Sequence, residues 1–129
     1  MAMIDSYNGI SPAPSLSPAT RTASANGVSV DLRGYHAATV IVQTGTITDG
    51  THDISIKESD DNSTFTAVAT GDLIGSLPSI TAPDDDKTYK VGYMGRKRYL
   101  RVDVTVSGAT SGGIVGASVI RSRARKQPK

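Results

Sequence analysis

"RYLRVDVTV", residues 98–106, decides the fold class. Leu100, Val102, Val104 and Val106 occupy every second position, and Arg101, Asp103 and Thr105 lie between them. Successive side chains of a strand point to opposite faces, so this period of two predicts a half-buried β-strand with its aliphatics inward. Arg98 shares the parity of the inward set. An unpaired guanidinium is too costly to bury, which places Arg98 at the solvated end of the strand or beside a carboxylate.

The same period recurs on both sides. In "KTYKVGY" (87–93), Tyr89, Val91 and Tyr93 align. In "HDISIKE" (52–58), Ile54 and Ile56 point inward, and Ser55 and Lys57 outward. "VSVDLR" (28–33) sets Val28, Val30 and Leu32 on one face, and "STFTAVAT" (63–70) does so with Phe65, Ala67 and Ala69. "GGIVGASVIRSR" (112–123) opposes Val115, Ala117 and Val119 to Ile114 and Ile120. "AATVIVQT" (37–44) is nearly continuous in β-branched residues, as expected of a strand buried on both faces or at an interface. Turn chemistry separates these runs. "TDGT" (48–51) carries the Asp-Gly pair of a tight hairpin, "SDDNS" (59–63) is a polar Asx turn, and "SGATSGG" (107–113) is a Gly-rich connection. The connector from Gly71 to Asp86 is the longest, with room for a short helical turn at "GDLIG". No sustained helical stripe occurs. The expectation is an all-β domain over residues 28–120, a small antiparallel β-sandwich or barrel of about seven strands.

Residues 1–27 read differently. Three of the six prolines, Pro12, Pro14 and Pro18, fall here among Ser and Ala, and no buried period is visible. An extended N-terminal arm that orders against a partner is expected. Residues 121–129, "RSRARKQPK", hold five basic and no acidic residues, which defines a basic C-terminal tail. Residues 28–120 carry 8 basic and 11 acidic residues, a balance of −3, so the net charge of +2 comes from the tail.

Composition limits the chemistry. The chain has no cysteine, which removes disulfides and thiolate metal sites. No basic-then-apolar leader opens it, and no apolar run reaches the roughly 18 residues of a membrane span, so a soluble chain made in the cytoplasm, with no membrane partner, is expected. Hydrophobic residues make up 37% of the chain, with one Phe and no Trp. So thin an aliphatic core favours an assembled state that buries more surface.

His36 and His52 stand apart from any nucleophile, and His52 and Asp53, as strand neighbours, point to opposite faces. The "DDD" at 84–86 and the pair Asp60-Asp61 lack the alternate ligands, the Gly and the distal Glu of a calcium loop. No catalytic residue, cofactor or metal site is assigned. "SGATSGG" precedes a strand, so no helix N-terminus faces a phosphate. "YMGRKRYLR" has the basic and aromatic content of a nucleic-acid surface, but it sits on an acidic body with one Phe to stack, and direct nucleic-acid binding is disfavoured. The cations best placed to meet a protein partner are Arg96, Lys97 and Arg101 around the presumed hairpin, and Arg121, Arg123, Arg125 and Lys126 in the tail.

From Tyr35 to Pro128 the sequence resembles small proteins of tailed bacteriophages and prophages encoded near the major capsid protein. The stretches that carry this resemblance are "TVIVQTGTITDGTHDISIKESDDNSTFTAVATGDLIG", "YKVGYMGRKRYLRVDVTVSG" and "GGIVGASVIRSRARKQP". The resemblance implies a virion structural protein, a head decoration or cement protein on the capsid exterior. Its partners would be the major capsid protein and further copies of itself in a homo-oligomer; many such proteins are trimers. A neck or tail component, or a carbohydrate-binding module using Tyr93 and Tyr99, are the alternatives.

Overall fold

The computed structural model describes Tyr7 and residues 9–124, with side chains through Ser122. Eleven strands appear among them: β1 (Ile10–Arg21), β2 (Ala25–Asn26), β3 (Val30–Asp31), β4 (Tyr35–Ile47), β5 (Thr51–Ser59), β6 (Thr66–Ala67), β7 (Leu73–Ile74), β8 (Ser79–Ile80), β9 (Thr88–Tyr93), β10 (Tyr99–Ser107) and β11 (Gly113–Ala124). All pairings are antiparallel, and two sheets face each other as a sandwich. One runs β1-β11-β4-β9-β7; the other is β2-β10-β5-β6, with β3 also on β10 and β8 also on β5. Single 3₁₀ turns cover Thr70–Asp72, at the start of "GDLIG", and Ala82–Asp84.

The core follows the period-two reading. Leu100, Val102 and Val104 of β10, and Ile54 and Ile56 of β5, meet Val40 and Val42 of β4 and Val115 and Val119 of β11, all essentially inaccessible. Tyr93 and Val91 complete this layer. β4 alternates despite its continuous β-branched run, because Thr39, Ile41 and Gln43 face outward. Ile41 lines a shallow groove there with Pro18 and Ile114. Two expected faces differ. Val28 is exposed, leaving Val30 to enter the core, and Val68, not Phe65, Ala67 or Ala69, is the buried residue of its segment.

The expected N-terminal arm is an integral strand. β1 pairs with β11 from Ile10↔Ser122 to Arg21↔Gly113, with register shifts on either side of Leu16. These irregularities bend it across the gap between the sheets. Leu16 fills the core, and the buried Ser15 hydroxyl donates to Val28 O at 2.7 Å and accepts from Val102 N of β10 at 3.0 Å. β1 is an edge strand, where a proline's missing N–H costs least, and this is how Pro12, Pro14 and Pro18 fit within a sheet. The tail boundary also moves, since β11 continues through Ala124.

The turns join sheets. β4 and β5 belong to different sheets, so Asp49-Gly50 forms an arch and not the expected hairpin. Gly50 takes φ +88°, and a Cβ there would lie 2.6 Å from that of Ala109. Asp49 gives the arch a further role. Its carboxylate accepts from the amides of Thr110, Ser111 and Gly112, at 3.0, 3.1 and 2.7 Å for Oδ1. These donors hold the carboxyl below its ordinary value, Gly112 foremost. Asp49 thus ties the β4–β5 arch to the β10–β11 arch at one end of the sandwich.

Candidate interaction site

The stretch between Tyr93 and Tyr99 is also an arch, since β9 and β10 lie in different sheets. It packs beside the turn at 32–37, and the two enclose a cleft of about 420 Å³ lined by Arg33, Tyr35, His36, Arg96, Lys97 and Arg98, among others. The expected charged hairpin is therefore one wall of a concave, cation-rich site.

Tyr93 is the foundation of that wall. Its ring is inward and 6% exposed, and its hydroxyl donates to Glu58 Oε1 at 2.7 Å. Burial pushes the phenol well above its usual range, and the Glu58 bond adds to this. The Lys97 amide donates back to the same hydroxyl at 3.2 Å. The chain can pass over the ring only at a glycine, because a Cβ on Gly95 would lie 2.3 Å from the Tyr93 oxygen. Tyr93 is thus not available as an aromatic platform.

The cations divide by partner. Arg98 grips Asp31 with two bonds, Nε to Oδ1 at 3.0 Å and Nη2 to Oδ2 at 2.9 Å, which together with its exposed position before β10 matches the placements its parity allowed. The Arg98 bond holds the Asp31 carboxyl down at about 2. Lys97 Nζ pairs with Asp60 Oδ2 at 2.7 Å, which raises the lysine's affinity for its proton. Arg33 and Arg96 are exposed, and neither has an ion pair or a side-chain hydrogen bond among the described residues.

The other candidate cations have structural partners. Arg101 lies on the outer face of β10, 2.9 Å (Nε) from Oδ1 of Asp103, with Nη2 donating to Oδ2 at 3.0 Å and the guanidinium 4.3 Å from the Phe65 ring centre. Asp103 is only 3% exposed, and it also receives Lys57 at 3.7 Å and the Gly27 amide at 3.2 Å. Arg121 clamps β1 to the end of β3, donating to Ser11 O, Ser11 Oγ and Asp31 O while lying over Tyr35. The Arg123 side chain, Arg125 and Lys126 lie outside the described residues. Arg33, Tyr35 and His36 were not anticipated. Their signal was "LRGYHA", where Gly34 takes φ +90° and turns the chain so that Arg33 and His36 both border the cleft.

The remaining polar candidates are absorbed by the fold. His52 is fully buried in line with Ile54, and its Nε2–H donates to Asp49 O at 3.1 Å. Asp61 closes the "SDDNS" turn by accepting from Ser63, Thr64 and Ser59 Oγ. In "DDD", Asp84 receives Thr81 N and Lys87, and Asp85 receives Ile47 N at 2.7 Å. Among the described residues no three acidic or histidine side chains converge as a metal site.

In fold, the chain is similar to XepA. The crystal structure of the PBSX exported protein XepA superposes with a TM-score of 0.60 at 16% sequence identity. The match covers 100% of this chain and 42% of XepA, so the chain spans less than half of that protein. No protein family matches the chain, and no curated protein matches it by sequence.

Proposed function

We propose that this chain is a structural protein of a tailed-phage virion, and specifically a decoration protein that binds the outside of the head and stabilises it through protein–protein contacts. The observation that carries the reading is the fold likeness to a protein of the phage-related PBSX element along the whole chain. The sequence resemblance to capsid-proximal phage proteins points the same way. The proposed role is non-catalytic. It uses a rigid sandwich whose arches are cross-tied and whose cationic cleft meets a partner, with the major capsid protein and further copies as the partners.

Purified protein is expected to bind expanded capsid shells at micromolar concentration and to raise their thermal stability. Images of decorated shells should show it distributed over the capsomers. Shells that take up no protein, or density confined to the portal vertex, would overturn the decoration reading.

A further inference from the structure

The end of the sandwich opposite the cleft carries an excess of negative charge, whereas the cations of the cleft end stand beside a similar number of carboxylates. β4 runs 13 residues from the cationic cleft to the far arch, a span of about 40 Å. At the far end stand Asp49, Asp53, Asp84, Asp85 and Asp86, with Lys87 and Arg21 as the nearby cations. Asp85 and Asp86 are exposed. Asp86 sits at a left-handed φ of 53°, and its carboxylate has no partner among the described residues. Within one chain this corner cannot reach the cleft, where Arg33 and Arg96 are also without ion-pair partners.

We propose that the cleft between the 32–37 and 93–98 arches seats the Asp85-Asp86 corner of a second copy, so that copies associate head to tail. A guanidinium pair is the natural receiver for carboxylates, because each fork can donate two parallel bonds. The cleft is a compact concavity sized for a loop tip. Asp31 and Asp60 stand at its rim, bound to Arg98 and Lys97. They would repel a phosphate backbone running past on either side, whereas a small acidic tip can seat on Arg33 and Arg96, which make no ion pair among the described residues, with fewer charges set against Asp31 and Asp60. This charge pattern favours a protein corner over a nucleic acid. The contact is heterologous, so it propagates, closing into a ring or growing as a chain. It specifies the self-contact within the structural-protein reading, and it rests on that reading for its setting.

Sedimentation velocity on the full chain tests it. In about 20 mM salt the weight-average mass should rise with concentration to at least about twice the monomer, and about 0.5 M salt, which shortens the screening length severalfold, should reverse this. The monomer is 13.4 kDa. Arg33→Glu/Arg96→Glu should stay monomeric. So should Asp85→Asn/Asp86→Lys, in which the asparagine keeps an oxygen for the Ile47 amide. Mixed together, these two variants should form a heterodimer, because one retains the acidic corner and the other the cleft. Wild-type protein that stays monomeric at low salt overturns the proposal, as does association that survives high salt and both variants. A short DNA duplex that binds the cleft of a monomeric wild type assigns it to phosphate and overturns the proposal too. If the monomeric protein nevertheless decorates shells, the head-to-tail contact is wrong and the virion reading stands.

Discussion

Arg96 and Arg101 are five positions apart and have the same formal charge, yet the fold gives them opposite energetic roles. Arg101 compensates a carboxylate, Asp103, that is 3% exposed, and its removal leaves that buried charge with Lys57 at 3.7 Å and the Gly27 amide at 3.2 Å as its remaining support. Arg101→Ala should therefore lower unfolding free energy by about 1–3 kcal/mol. Arg96→Ala/Lys97→Ala removes one unpaired guanidinium and one exposed ion pair that solvent screens, and the loss should be clearly smaller than that of Arg101→Ala. Urea unfolding of the variants side by side measures the difference; equal losses would mean that Asp103 is not held by Arg101. Gly95 is a third case. Gly95→Ala drives a methyl into the Tyr93 hydroxyl that Glu58 and Lys97 share, so it should disturb the arch far more than any change of charge on it.

Among the elements, β1 makes the strongest prediction. Deleting residues 1–27 removes Leu16 from the core, the Ser15 bridge between β1 and β10, and the strand paired along one side of β11. The truncated chain should lose its cooperative melt and aggregate through the exposed β11 edge. A sharp near-UV and thermal transition retained by residues 28–129 would show β1 to be dispensable. The sequence concealed this strand because a proline-bearing edge strand and a disordered arm have the same composition. Only the register with β11 separates them, and register is a non-local property. The same limit explains the arches. "TDGT" and "MGRK" announce turns correctly, but whether the next strand pairs with the last or crosses to the other sheet depends on which strands lie between. What depended on local alternation was legible, from Leu100-Val102-Val104 to Val115-Ala117-Val119. So was the choice for Arg98 between the solvated strand end and a carboxylate, although not the identity of that carboxylate as Asp31. The cleft was half legible: "GRKR" showed one wall, and "LRGYH" came to face it only through the pairing of Ala38 with Tyr93.

At the scale of the whole molecule, these local bonds set the response to acid. Asp31 and Asp61 are held at about 2, against an ordinary value of 3.8, and Asp49 and Asp84 are lowered as well. A carboxylate that titrates lower in the folded chain than in the unfolded one stabilises the fold above its unfolded value, and that contribution is lost as pH falls through the folded value. The melting temperature should therefore be flat above about pH 4 and fall steadily towards about pH 2. The groups differ in what holds them. Asp31 depends first on an exposed guanidinium, which salt screens, whereas Asp61 and Asp49 depend on backbone amides within their own turns. Moderate salt should thus shrink the Asp31 share of the acid limb and leave the backbone-held share in place. In Asp31→Asn the remaining limb should be smaller and less sensitive to salt. Melting curves across this pH range at low and moderate salt check both statements, and an acid limb unchanged by Asp31→Asn would mean that the Arg98 grip does not persist in solution.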